Sequence, residues 1–507
     1  MNETAHLLKD TSSPRTFSGV RWGICALLFL ATTINYLDRT SLSVLKTTLQ
    51  KELHWNEADY GWITFAFTAA YAVFLPIAGR VIDLVGVRLS FAFALVAWSL
   101  AAAGHALVRT VAGFSLMRLL LGAAESANFP ASIKAVAQWF PQGERALATG
   151  IFNAGSNVGI MLSPLTVWVA HQFGWQAAFV AIGALGFIWL AAWLALFRNP
   201  QDHPWLSAPE RAHIEAGQPP VEQTARLPWV ALLRQRQVWP FLLAKFMTDP
   251  VWWFYLYWLP SYLEKERGLT ALSSASMLII PYVAADFGSI LGGWLSGHLI
   301  KRGWRVGPAR YAAMLLCALS MPGAIVAVTT SHFWLALGLI SLATAAHQGW
   351  SANLFTTATD LFPAGVSGSV VGLGGMCGAI GGMLMTLLVG GTLQWLDSYA
   401  PIFIWAGVMH PLGLVLFRWL AGRDLKPAMV DKSPDLASPC VPLLAGGGAA
   451  IAAGGILTLL LLLNWNYFVS ATKSMNAPAG GVTAAAGIAA IGVMLVYAGL
   501  GRKTVSR

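Results

Sequence analysis

Charge is what this sequence has least of. Only 11% of its 507 residues are Asp, Glu, Lys or Arg, against 56% that are hydrophobic, whereas an ordinary soluble protein carries about 25% charged residues. So little charge cannot coat a water-facing surface of this size, which excludes a soluble globular enzyme. With 23 Trp and 25 Phe and a mean hydropathy of +0.61, a disordered or fibrous chain is excluded too. Lipid is the expected solvent. Cysteine is scarce: Cys25, Cys317, Cys377 and Cys440 lie in or beside apolar stretches and have neither metal-ligand nor disulfide-framework spacing. A phosphate-binding glycine loop with lysine, a two-histidine metal helix and a Ser, His, Asp arrangement are all missing. No enzyme activity, metal or cofactor is expected. Cations are in excess, 32 against 22 acidic residues for a formal +10, but they stand in ones, twos and threes between apolar runs. That pattern fits cytoplasmic loops and not a nucleic-acid surface.

Residues 1–20 lack a basic start followed by an apolar core, so the first span should be an uncleaved anchor. At about 20 apolar residues per span, stretches are expected near 19–46, 60–79, 89–108, 111–138, 145–171 and 175–197. Six more follow near 237–263, 272–300, 309–329, 332–358, 366–394 and 398–420, then two near 441–463 and 480–500. The expected fold is an all-α membrane protein of 14 spans. Its order is a tail (1–18), a six-helix bundle (19–197), a proline-rich polar linker (198–236), a second six-helix bundle (237–420), a linker (421–440), an additional hairpin (441–500) and a tail (501–507). Lys and Arg in the N-terminal tail, the 198–236 loop, the turn with Lys301, Arg302 and Arg305, and the C-terminal tail put both termini on the cytoplasmic side. GRVIDLVGVR (79–88) and GGWLSGHLIKRG (292–303) fall at matching places in the two halves, as an internal repeat predicts.

Gly79, Asp83, Gly86 and Arg88 make the loop between spans two and three resemble that of the major facilitator superfamily, G-x-x-x-D-(R/K)-x-G-(R/K)-(R/K). Leu84 and Val87 stand at two of its usually basic places. The glycines would let helices approach closely, while Asp83 and Arg88 could pair across helix ends and hold one conformation. INYLDR (34–39), RLLLGAAESANFPA (118–131), WFPQGERALATGIFNAGSNVG (139–159) and HQGWSANLFTTATDLFP (347–363) resemble the anion:cation symporter family. KFMTDPVWWFYLYWLPSYL (245–263) and YVAADFGSILGGWL (282–295) are most similar to its hexuronate branch. The resemblance covers about residues 20–420 and leaves the last hairpin outside. It implies two pseudo-symmetric six-helix bundles and alternating access.

Ionisable groups away from span ends cost about 2.5 to 3.5 kcal/mol on insertion scales and mark function by default. In the first half these are Asp38, Arg39, Arg118 and Glu125. Arg118 and Glu125, two turns apart, share a face, and Tyr36 lies on Arg39's side. A guanidinium offers a planar fork that a carboxylate fits, so Arg39 reads as the substrate anchor. Asp38 and Glu125 read as proton carriers, with Arg118 tuning the latter. The resemblance implies the same roles, proton coupling at Asp38 and Glu125 and anion binding at Arg39. The structural alternative is a static pair, Asp38 with Arg118 or Arg39 with Glu125.

In the second half, Lys245 and Asp249 are four apart on span seven, either as cavity charges or as an intrahelical pair. Pro250 should break that helix locally. Asp286 is expected to face a cavity. Of the aromatics at 252–258, Tyr255 is a candidate sugar contact; Tyr71 is another candidate substrate contact. His347, Gln348 and Asn353 on span ten, with Asn153, Ser156 and Asn157 on span five, could bond hydroxyls or act as interhelical glue worth about 1 kcal/mol. Gly372, Gly374, Gly375, Gly378, Gly381 and Gly382 mark span eleven as a gating helix or a tightly packed one. The expected function is proton-coupled import of an anionic sugar acid, a hexuronate first, across a bacterial cytoplasmic (inner) membrane. The expected partners are the sugar acid, protons and lipid, with no nucleic acid, and the chain is expected to be a monomer. Other readings are an aldonate or glucarate carrier, an organic-anion exchanger and a non-transporting sensor.

Overall fold

The computed structural model describes residues 19–216, 229–269, 273, 276–363, 365–396, 398–422 and 424–425. The hairpin expected at 441–500, both tails and most of the 421–440 linker lie outside these residues. In the first half the helices are α1 Val20–Val44, α2 Lys46–Leu53, α3 Glu57–Val85, α4 Val87–Gly104, α5 Val111–Glu125, α6 Asn128–Trp139, α7 Gln142–Met161, α8 Ser163–Phe173 and α9 Trp175–Leu196. The linker contains α10 Ala208–Ala216 and α11 Trp229–Arg234. The second half has α12 Val238–Arg267, α13 Ile279–Lys301, α14 Val306–Ser320, α15 Gly323–Thr329, α16 Phe333–Leu361, α17 Ser367–Leu396 and α18 Ala400–Ala421.

Among the described residues there is no strand, and eight stretches are long and apolar enough to cross a membrane, among them Asp59–Val85, Trp175–Leu196 and Val306–Thr329. Helices suit such a solvent because every backbone N–H inside one is bonded within the same segment. Phe93, Ile188, Trp334, Leu319 and Val415, exposed by 68% to 71%, form an apolar outer face that water would not tolerate on this scale.

Local chemistry sets the helix limits. Asn56 Oδ1 accepts the Asp59 N–H and Asp59 Oδ2 accepts the Asn56 N–H, both at 3.0 Å, a reciprocal cap that starts α3. Gly86 (φ 94°) and Gly174 (φ 88°) turn one helix directly into the next in a conformation that other residues avoid. Three stretches expected as single helices each divide in two. Pro130 cannot bond the Ser126 carbonyl, so α5 gives way to α6; Pro164 and Pro322 act likewise between α7 and α8 and between α14 and α15. At Pro250 the expected break does not occur, because α12 continues through it. The Phe246 carbonyl that Pro250 leaves unbonded lies against Gly381 of α17, with no room there for a side chain.

The pairings of the first half recur in the second. α1 packs on α7 as α12 packs on α17, and α3 on α5 as α13 on α16; the two halves meet through α3 against α17 and α7 against α13. Glycine makes those seams: a Cβ at Gly79 would strike the Gly368 backbone, one at Gly372 the Leu75 carbonyl, and one at Gly293 the Ala146 carbonyl. Without side chains the helix backbones approach closely, which is how helices gain packing energy when lipid supplies no hydrophobic drive.

Candidate functional site

Between the halves lies a cavity of about 920 Å³, its open mouth included. Of the residues singled out in the sequence, Tyr36, Arg39, Tyr71, Asn153 and Ser156 line it from the first half, and Lys245, Asp249, His347, Gln348 and Gly375 from the second. Tyr257, 49% exposed, stands at the mouth.

Arg39 is the centre of the first wall. Its Nε and Nη2 both donate to Glu125 Oε2, at 3.3 and 3.2 Å, and Nη2 also reaches Asn35 Oδ1 at 3.4 Å. The guanidinium carbon lies 4.7 Å from the Tyr36 ring centre, 5.1 Å from that of Phe67 and 4.6 Å from that of Tyr71, so a cation–π cage holds the fork in place. Glu125 is fully buried, and its Oε1 has no hydrogen-bond partner. Asp38, one residue from Arg39, is not among the residues lining the cavity; it is 1% exposed and neither carboxylate oxygen has a hydrogen-bond partner. Arg118 donates to the Arg39 carbonyl and to Ser41 Oγ, both at 3.3 Å, and hydrogen-bonds neither carboxylate. Of the two static pairs considered, Arg39 with Glu125 is made and Asp38 with Arg118 is not.

The second wall carries its own pair. Lys245 Nζ lies 2.6 Å from Asp249 Oδ2 and 3.9 Å from the Phe355 ring centre. His347 stacks on Trp252 at 5.5 Å between centroids, and its Nδ1 faces His410 Nε2 at 3.0 Å. Asn153 Nδ2 donates across the halves to Gln348 Oε1 at 2.7 Å. Three expected residues lie elsewhere. Tyr255 is buried against Phe254 and Phe403. Asn353 donates to the Gly292 and Gly349 carbonyls at 2.9 Å, a bond between α16 and α13. Asp286 takes a 2.6 Å hydrogen bond from Asn157 at the seam of the halves.

At the far end, past Leu75 and Gly375, the halves are joined. Asp83 does not pair with Arg88: its carboxylate takes Lys134 Nζ at 2.8 Å and the first-turn N–H groups of α17, Gly368 at 3.1 Å and Ser369 at 2.7 Å. Gly86 turns the chain between the two residues, so Asp83 faces α17 while Arg88, on α4, donates to the Leu194 carbonyl of α9 at 2.7 Å. A carboxylate at a helix N-terminus meets both free N–H groups and the positive end of the dipole, so Asp83 ties one half to the other. In the second half Ser296 occupies the place of Asp83. It takes Arg310 Nη1 at 2.7 Å, while Arg310 also reaches Asp360 Oδ2 at 3.0 Å and the Gln142 carbonyl of the first half at 3.0 Å. Arg145 Nη1 donates to the Thr359 carbonyl at 3.0 Å. The linker adds Glu210, fully buried, which takes Arg21 Nη1 at 2.7 Å, while Glu144 takes Arg21 Nε at 3.0 Å and Lys301 Nζ at 3.5 Å. The cavity therefore opens at the Tyr257 end and is closed at the Asp83 end.

Sequence reasoning missed Lys134, Arg145, Arg310, Asp360 and His410. Arg145 and Asp360 stood in the motifs QGER and TDLFP but fell at span ends, where charges are ordinary.

The model of the Major Facilitator Superfamily matches residues 28–386. The hexuronate transporter of Escherichia coli (strain K12) is 34% identical over 421 residues, covering 82% of this chain and 96% of that protein. The galacturonate transporter of Dickeya chrysanthemi is 36% identical over 281 residues, covering 55% of this chain and 81% of that protein. Among solved structures, the proton:xylose symporter XylE bound to 6-bromo-6-deoxy-D-glucose has the same fold, with a TM-score of 0.65 at 15% identity over 81% of this chain and 98% of that one.

Proposed function

The chain belongs to the major facilitator superfamily and is a transporter, not an enzyme, and on that premise we propose that it imports an anionic sugar acid, a hexuronate such as glucuronate or galacturonate, together with protons. The observation that carries the reading is Arg39 on the cavity wall, bonded to a buried carboxylate from another helix. Glu125 and a substrate carboxylate are rivals for the same fork of donors. A proton on Glu125 neutralises it and frees Arg39 for the sugar acid; loss of that proton restores the pair and expels the substrate. Asp38 is the second proton carrier, since a bare charge buried without partners would cost several kcal/mol. Arg118 fixes the end of α1 through the Arg39 carbonyl and so positions the fork.

Twelve crossings from the two halves, followed by the expected hairpin at 441–500, would leave both termini on one side, and the Lys and Arg of the 198–236 loop and of the turn with Lys301, Arg302 and Arg305 assign that side to the cytoplasm of a bacterial inner membrane. The Asp83 end is then cytoplasmic, and the conformation is outward-open. A monoanion entering alone against a membrane potential would run uphill by about 2.3 kcal/mol per 100 mV. One accompanying proton makes the step electroneutral. The test is uptake of labelled glucuronate, galacturonate, galactonate and glucarate by purified protein in liposomes, with and without an imposed pH gradient. Gradient-driven accumulation of a hexuronate is expected. Counterflow without any accumulation would instead identify an exchanger, and no uptake at all would remove the transport reading.

A further inference from the structure

The second wall poses a question that the Arg39 wall leaves open. Lys245 and Asp249 both line the cavity, with side chains 5% and 17% exposed, and their 2.6 Å ion pair lies within one helix. Such a pair has no net charge, and a second substrate carboxylate brought to Lys245 would meet Asp249 beside it. A neighbouring pair of hydroxyls meets no such repulsion. The carboxylate can accept both O–H groups, and the ammonium can donate to the oxygen of either hydroxyl. Flat indoles suited to the apolar face of a sugar ring, Trp252 and Trp253, border the same space. Gly378 of α17 leaves room for the carboxylate, since a Cβ there would collide with Asp249. Being intrahelical, the pair also keeps its geometry however the two halves tilt.

We infer that Lys245 and Asp249 form a charge-neutral subsite that reads two adjacent hydroxyls of the substrate while Arg39 holds its carboxylate. This deepens the sugar-acid reading and rests on it. Lys245 and Asp249 are specificity residues here, and Gly378 is a positioning residue for them.

The experiment is a cycle between protein and ligand. Purified protein is titrated with galacturonate and a set of its singly deoxygenated analogues, by competition against labelled galacturonate. Deleting one of the hydroxyls that the pair reads should weaken wild-type binding about tenfold or more, as expected for a hydrogen bond to a charged group. In the double variant Lys245→Gln, Asp249→Asn, which leaves no lone buried charge, galacturonate itself should bind about tenfold more weakly. The same deletion should then cost that variant less than about threefold. Gly378→Ala, which keeps both charges, should reproduce the loss by displacing the Asp249 carboxylate, and it serves if the double variant fails to fold. The inference is overturned if every hydroxyl deletion costs the variants as much as wild type. It is also overturned if Lys245→Gln selectively loses glucarate and spares galacturonate, the signature of a second carboxylate site. Wild type that binds no sugar acid at all would bring down the sugar-acid reading and this inference with it; wild type that binds but shows no coupling in the cycle brings down the inference alone.

Discussion

The two walls of the cavity each carry a cation beside a carboxylate, but they are wired differently. Arg39 of α1 is bonded to Glu125 of α5, on another helix, whereas Lys245 and Asp249 sit one turn apart on α12. A bond between helices is broken by a proton, a rival anion or a small movement of either helix. A bond within one helix travels with that helix. The first pair is therefore suited to switching and the second to constant recognition, although both are buried ion pairs of the kind that contribute little net stability.

That contrast can be broken most severely at Arg39. Arg39→Gln should reduce sugar-acid uptake in proteoliposomes by about 100-fold or more, since it removes a charge-assisted bidentate contact; uptake within about threefold of wild type would remove Arg39 from the substrate site. Next in size is a stability difference on the second wall. Lys245→Met alone leaves a bare carboxylate and should cost about 3 to 5 kcal/mol, while Lys245→Met combined with Asp249→Leu should cost far less. Thermal melting in detergent measures both, and equal losses would show that the two residues do not act as a pair. At the closed end, Asp83→Asn weakens both the cap on α17 and the bond to Lys134 and should cost about 1 to 2 kcal/mol. Labelling of a cysteine introduced near the Asp83 end should rise accordingly, and unchanged labelling would mean that the cap does not hold the halves shut. The smallest effect belongs to Asn157→Ala at the Asp286 contact. An interhelical hydrogen bond in a membrane averages about 0.6 kcal/mol, so transport should change by less than about threefold; abolished transport would assign that contact a role in the cycle.

Much of the architecture was legible because period and length suffice for it: the stretches expected between 19 and 420 overlap described helices, three of them divided over two helices each. What was not legible depends on neighbours distant in sequence. Pro250 looked like a break because the rule for proline considers one helix, and the answer lay in Gly381 about 130 residues on. Asp83 was expected to bond Arg88 because they are close in the chain, yet its partners come from α6 and α17. The site divided along the same line. Arg39, Glu125 and Asp38 were conspicuous as charges in apolar runs, and the four polar second-wall residues that were singled out, Lys245, Asp249, His347 and Gln348, all stood in quoted motifs. Lys134 was such a charge too, within the expected span 111–138, and was passed over, whereas Arg310 stood at a span end and the importance of His410 comes from who meets it. Tyr255 and Asn353 had suitable chemistry but face other helices.

The account turns on a proton and a substrate competing for Arg39 through Glu125, and Glu125→Gln tests that most directly. In purified protein reconstituted in liposomes, the variant should retain counterflow of labelled galacturonate and lose accumulation driven by a pH gradient. Accumulation that still follows the imposed gradient would contradict the account, as would loss of both activities in a variant whose melting temperature matches wild type.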